Sequence, residues 1–341
     1  MRRKRVFFGA FTCLIGLLGC ATNAVQSLPS AETHEQKPIV IAHRGASGYL
    51  PEHTLPAALL AFEQGADYIE QDLVLSRDGE LVVLHDIHID RVTNVADMYP
   101  LRKRADGRYY AIDFDLAELK QLAVHERKNK AGEQVFPHRY SGNAAFTIAT
   151  FNEQIELIKL LNSLTGKDVG IYAEIKSPGW HQQQGYDISA ATLKSLEAHG
   201  LNHPAAKVYL QCFDFNEVKR LKTQLNAKVK LIQLLADNSW GESDINYDAL
   251  MTEQGLAEIA QYAVGIGPWL NQMIDPKKLS PSGLHALAKQ QGLLVHPYTF
   301  RSDSLPQGIG QQQLLDILFT RMKVDGVFTD QTDVVRGFLD R

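Results

Sequence analysis

Ile39-Val-Ile-Ala-His43-Arg44-Gly45-Ala-Ser-Gly-Tyr-Leu-Pro51-Glu52-His53-Thr54 decides how the rest of the chain is read. A β-branched run stops at a charged pair and a glycine, a polar turn follows, and Thr54 opens a helical pattern. Thr54 suits an N-cap, and Pro56 is tolerated in the first turn. Leu55, Leu59 and Phe62 share a face, and Gly65 stands where a C′ residue belongs. A strand, a turn rich in polar groups and a helix make one βα unit.

The same pattern repeats outward from this stretch. Short apolar runs at 38–43, 68–75, 169–175, 207–212, 229–235, 262–267, 293–299 and 324–329 alternate with helical patterns. Eight such units over about 300 residues predict a closed TIM-type (β/α)8 barrel spanning 38–341; an open doubly wound sheet is the alternative. One unit departs from the rule. Asp78-Gly79 between two apolar runs predicts a hairpin with a two-residue turn. That turn would pair position i with 157 − i and set His85 across from Asp72. The charged, irregular segment at about 88–146 is too long for a simple loop. It reads as a small cap inserted after the second strand, beside the barrel mouth.

The N-terminus is set apart from this pattern. Arg2-Arg3-Lys4-Arg5 is a basic n-region, and Val6 to Gly19 is an apolar stretch too short to span a bilayer comfortably. Residues 1–19 therefore read as a signal peptide. Leu17-Leu18-Gly19-Cys20 resembles the lipobox of bacterial lipoproteins, which implies lipidation of Cys20. The expected location is the cell envelope, anchored by lipid to the outer membrane and facing the periplasm or the surface. Residues 20–37 are polar and aperiodic and read as a tether. With Cys13 removed and Cys20 lipidated, Cys212 has no partner for an internal disulfide. Loss of the four basic residues leaves 31 basic against 39 acidic side chains, a formal charge near −8. That balance argues against nucleic-acid binding.

The strand ends carry the chemistry. Glu70 and Asp72 are two apart and point to one face, as do Glu174 and Lys176 in Tyr-Ala-Glu-Ile-Lys. Carboxylates converging at one end of a barrel repel each other unless a cation lies among them. Oxygen ligands indicate a hard ion, Ca2+ or Mg2+. His43 and His85 also end apolar runs, where a barrel builds its active site. Two histidines can move protons, and Arg44 and Lys176 can hold phosphate oxygens. The set suits metal-assisted hydrolysis of a phosphodiester. Gln211 and Phe213, His296 and Tyr298, and Trp269 stand at further strand ends and are candidates for the substrate pocket.

These residues, with Pro51-Glu52-x-Thr54 and Asp325-Gly326-Val-Phe-Thr329-Asp330, resemble the periplasmic type of the glycerophosphodiester phosphodiesterase family over nearly the whole chain from Pro38. The resemblance implies a TIM-type barrel with a cap after the second strand. It also implies Ca2+- or Mg2+-dependent cleavage of small-molecule glycerophosphodiesters, such as glycerophosphocholine, to sn-glycerol 3-phosphate and an alcohol. Carried over by position, His43 and His85 are the acid–base pair, and Glu70, Asp72 and Glu174 hold the metal. Arg44 and Lys176 bind phosphate, and Glu52 lies beside the metal site. His53 departs from the family's usual Asn. The attacking group is water or the glycerol 2-hydroxyl, and Asp325 to Asp330 reads as structural. Rival readings are cleavage of intact phospholipids on the same fold, or a surface lipoprotein that binds a host protein. The sequence sets no oligomeric state.

Overall fold

The computed structural model describes residues 37–341 except 276, 277 and 279, and these form one compact unit. The signal peptide, the tether and Cys20 lie outside the described residues. The strands are β1 (Ile39–Ala42), β2 (Tyr68–Leu75), β3 (Leu81–Val83), β4 (Gly170–Ile175), β5 (Val208–Cys212), β6 (Lys230–Leu235), β7 (Gly265–Pro268), β8 (Ile274–Asp275), β9 (Ser280–Pro281), β10 (Leu294–Val295) and β11 (Gly326–Thr329). Eight of them pair in parallel in the order β10-β7-β6-β5-β4-β2-β1-β11, while β3 pairs antiparallel with β2. Between the two ends of this path, Asp325 N–H donates to Val295 O and Phe328 N–H to Pro297 O, and Phe300 N–H donates to Phe328 O. The eight-stranded barrel is thereby nearly closed. Pro297 has no N–H to give, and the expected strand at 293–299 is regular only over Leu294–Val295. The run expected at 262–267 begins as a strand only at Gly265. Among the described residues no helix is long and apolar enough to cross a membrane.

Alternation along the strands sorts the side chains. Ile41, Tyr68, Tyr172, Tyr209, Ile232 and Phe328 form a buried cluster inside the barrel. Gly170 admits the Tyr68 ring, because a Cβ there would sit 2.4 Å from it. This aromatic layer is the floor on which the polar strand ends stand. The outward residues pack against the helices in the large core cluster. The first helix runs Leu55–Glu63 with the Thr54 hydroxyl accepting from Ala57 N–H. Its buried face is Ala57, Ala58, Ala61 and Phe62, whereas Leu59 is 41% exposed, contrary to the expected stripe. The alanines let the turn come close: a Cβ on Gly45, where φ is 77°, would lie 2.8 Å from the Ala57 carbonyl carbon.

The hairpin differs by one residue from its sequence expectation. The ladder pairs Leu73 with Val83 and Leu75 with Leu81, so i faces 156 − i. Ser76 N–H donates to Glu80 O, Ser76 Oγ donates to Asp78 Oδ1 and Glu80 N–H donates to Ser76 Oγ. Those side-chain bonds favour a three-residue loop with Gly79 in the left-handed region at φ 82°. His85 therefore lies beyond the ladder, and it is Leu84 N–H that donates to Asp72 O. The segment after the hairpin has its own apolar cluster, with Ile89, Val92, Phe114, Leu122 and Phe146 packed on Val74 and Val82. It contributes two arginines to the site described next.

Candidate active site

A cleft of about 290 Å3 opens where β1, β2, β4 and β5 end, lined among others by His43, Arg44, Glu70, Asp72, His85, Glu174 and Gln211. Register places them there. Asp72 pairs with Glu174, and Glu174 with Gln211, so one row of inward positions crosses three strands. At the end of β1 the chain turns sharply, with Arg44 at φ 60°. Its N–H there donates to Glu70 Oε2 at 2.6 Å.

Each histidine rests on an aspartate that an arginine holds. His43 Nδ1 lies 2.6 Å from Asp330 Oδ1. Asp330 Oδ2 accepts from Arg139 Nη2 at 2.7 Å and from Arg301 Nε at 2.8 Å. With Nδ1–H donated to Asp330, Nε2 is the nitrogen left for the cleft. His85 Nδ1 lies 2.8 Å from Asp86 Oδ1, and Asp86 Oδ2 accepts from Arg127 Nη1 at 2.6 Å. Arg127 also grips Glu52 through Nε and Nη2, at 2.9 and 2.5 Å. Glu52 in turn accepts from Arg44 Nη1 at 3.0 Å. Both Arg127 and Arg139 come from the segment expected to form the cap.

Burial and the neighbouring cations keep both rings neutral. Burial first, then Arg44, lowers His43 to about 3 despite the opposing pull of Asp330. Burial, Arg44 and Lys176 lower His85 to about 4. Burial would raise Glu52, but Arg127 and Arg44 outweigh it and hold the carboxyl well below its usual range.

The acidic groups suit a cation. Burial and the nearby Asp72 push Glu70 well up. Burial works the same way on Asp72, but the Lys176 charge and the hydrogen bond from His53 hold it well down. His53 Nε2 lies 2.7 Å from Asp72 Oδ2, while Asp72 Oδ1 is buried without a hydrogen-bond partner. The Lys176 ammonium stands 3.9 Å from that oxygen, beyond hydrogen-bond reach, so Oδ1 is left to bond a cation or another donor. Ligand atoms of His53, Glu70 and Asp72 all lie within 4.8 Å of one another. Glu174, expected in the set, is instead bonded to Lys176 Nζ at 2.7 Å, and burial raises it to about 8. The donors present fit a divalent ion, with Glu70 and Asp72 common to the expected and observed groups.

Of the expected pocket residues, Gln211, Phe213, Trp269 and Tyr298 line the cleft. His296 does not: it is buried below, with Nδ1 3.0 Å from the Tyr172 hydroxyl. Lys176 and Glu52 stand behind the lining, Lys176 on Glu174 and Glu52 on the two arginines. Sequence reasoning gave no role to Asp86, Arg127, Arg139 or Arg301 and read Asp330 as structural; the structure sets Asp330 Oδ1 2.6 Å from His43 Nδ1. Asp86 and Asp330 each follow a strand-end motif and were legible in principle. The arginines carry no local signal.

The model of the glycerophosphoryl diester phosphodiesterase family matches residues 43–334. A glycerophosphodiester phosphodiesterase of Haemophilus influenzae is 42% identical, the match covering 95% of each chain. One from Treponema pallidum is 35% identical over 98% of this chain and 96% of its own. Among solved structures, an Oleispira antarctica phosphodiesterase in complex with the product sn-glycerol-3-phosphate has the same fold. Its TM-score is 0.59 at 22% identity, over 89% of this chain and 98% of that one.

Proposed function

The chain belongs to the glycerophosphoryl diester phosphodiesterase family and is a phosphoric diester hydrolase, and from that premise we propose that His43 and His85 are its acid–base pair. The substrates are glycerophosphodiesters such as glycerophosphocholine, and the products sn-glycerol 3-phosphate and an alcohol. One observation carries the reading: two histidines, each oriented by its own aspartate, face one cleft beside Glu70 and Asp72.

A divalent cation, Ca2+ or Mg2+, held by Glu70 and Asp72 with His53 or Glu174, supplies Lewis acidity and neutralises phosphate charge. The protein's own groups do the rest. Arg44, and Lys176 after release from Glu174, offer hydrogen bonds to non-bridging oxygens. One neutral imidazole takes the proton of the attacking water or glycerol 2-hydroxyl, and the other, charged once substrate is bound, gives its Nε2 proton to the departing oxygen. Where the 2-hydroxyl attacks, water then opens the cyclic phosphate to sn-glycerol 3-phosphate. An incoming phosphate neutralises Arg44 and Lys176, two of the causes that depress His85, so binding raises that ring toward the range of a useful acid. Asp330 and Asp86 keep the two rings in the tautomer with Nε2 toward the substrate.

The test is release of glycerol 3-phosphate from glycerophosphocholine by residues 21–341 with Ca2+, with Mg2+ and with chelator. Loss of release with chelator, and its return with one ion, supports reaction and metal together. No release from a folded protein with either ion would overturn the reading. We also propose anchorage in the envelope through Cys20, on the strength of Leu17-Leu18-Gly19-Cys20 behind a basic n-region. Labelled palmitate should enter the protein and be lost from Cys20→Ser; equal labelling of both would reject the anchor.

A further inference from the structure

The cap carries Arg127 and Arg139, which hold the aspartates behind the two histidines, and beside the first of them stands Glu126. The backbone there is pinned on either side, His125 N–H donating to Val92 O and Lys128 N–H to Arg91 O. Glu126 is only 6% exposed, and its Oε2 is buried without a hydrogen-bond partner. The charged groups that face it are Arg127 and Arg139 from its own segment, Glu52 from the loop after β1, and Asp330 from the end of β11. One carboxyl thus sits among members of both histidine supports.

Those arginines are already committed. Arg127 bonds Asp86 at 2.6 Å and Glu52 at 2.5 Å. Arg139 bonds Asp330 at 2.7 Å, Asp303 at 2.8 Å and the Ser47 carbonyl at 3.2 Å. An ionised Glu126 would be a further buried anion competing for guanidiniums that have their carboxylates, and its desolvation would go uncompensated. A protonated carboxyl avoids that cost. Burial, against the pull of Arg139 and with help from Glu52 and Asp330, pushes the group up to about 8. We propose that Glu126 is a positioning residue for both histidines. Uncharged, it leaves Arg139 on Asp330 and Arg127 on Asp86; ionised, it draws both guanidiniums towards itself and slackens both rings. The inference rests on the acid–base pair proposed above and adds the group that governs its alignment at alkaline pH.

The experiment follows kcat for glycerophosphocholine against pH in the native chain, Glu126→Gln and Glu126→Leu, each with saturating divalent ion. A group near 8 is mostly protonated at pH 7 and mostly ionised at pH 9, so native kcat should fall about tenfold over that interval. The variants have no such proton to lose and should fall clearly less. Glu174, also raised to about 8, is the same in all three chains, so the difference between profiles belongs to Glu126. Profiles of one shape in all three would overturn the proposal, slower variants included, since a packing role gives that result. Two variants keep the test standing where one fails to fold. Nitrogen-15 signals of the His43 and His85 rings give a second readout that needs no turnover. Their tautomer populations should shift between pH 7 and pH 9 in the native chain and hold steady in Glu126→Gln. That shift in a chain that cleaves no diester would support the positioning and sink the diesterase reading alone. Steady native signals in a chain that turns over would sink the positioning alone.

Discussion

Asp330 Oδ1 stands 2.6 Å from His43 Nδ1 across 287 positions of sequence. The last strand closes the barrel against the first, His43 N–H donating to Thr329 O, so the acid and the base-bearing ring meet at the seam. An asparagine at 330 would keep the shape, but its amide can present a donor to Nδ1 and stabilise the wrong tautomer. Asp330→Asn is therefore expected to lower kcat about 100-fold with KM little changed. A kcat within threefold of native, in a protein with a native melting curve, would remove Asp330 from the orienting role.

The two histidines are expected to act in different half-steps of one reaction. His43→Ala and His85→Ala should each lose at least about 100-fold in kcat. The double variant should lose much less than the product of the single losses, because groups that act as a unit are not additive. Multiplicative losses measured with glycerophosphocholine would argue that the rings work independently.

Arg127 ties Glu52 to Asp86 and is 14% exposed in its side chain. Its removal leaves two carboxylates facing each other with one cation fewer, and Arg127→Met should cost about 3 kcal/mol in urea unfolding. It should also reduce kcat/KM, since His85 loses the anchor of its aspartate. Arg127→Lys keeps the charge without the fork and should recover only part of each. A methionine variant with native stability and native kinetics would show that the bridge orders nothing.

His181 offers a clean pH test away from the cleft. It is fully buried, accepts from Leu75 N–H at Nε2 and donates from Nδ1 to Ser177 O. Burial lowers it to about 4, against about 6.5 in the unfolded chain. Between these values the unfolded chain binds the proton and the folded chain does not. The contribution of this ring is thus fully present above pH 6.5 and declines as pH falls towards 4. Destabilisation by His181→Gln should be about 2 kcal/mol smaller at pH 5 than at pH 7. Urea midpoints of native and variant at both values check it, and a pH-independent difference would contradict it.

Much of the barrel and of its acidic row was legible before folding. Positions two apart on a strand share a face, so Glu70 with Asp72 and Tyr172 with Glu174 point inward by local geometry alone. Turn chemistry was legible only in part. Asp78-Gly79 marked the hairpin, but the bond from Ser76 to Asp78 set its length and moved the register by one. The first helix was bounded correctly by Thr54 and Gly65, yet its buried stripe is alanine-rich, because the close approach at Gly45 leaves no room for leucine.

By itself, the sequence determined the order of βα units, the inward row of carboxylates and the two histidines, because these follow from short-range periodicity. Tertiary structure decided depth and partnership. His296 and Tyr298 alternate alike, but the stagger of a nearly closed barrel puts one in the aromatic floor on Tyr172 and the other in the cleft. The bonds from Arg139 to Asp330 and from Arg127 to Asp86 exist only once the remote segments carrying them pack at one rim. Contacts made by chain closure have no period along the sequence, and for that reason only the folded chain displays them.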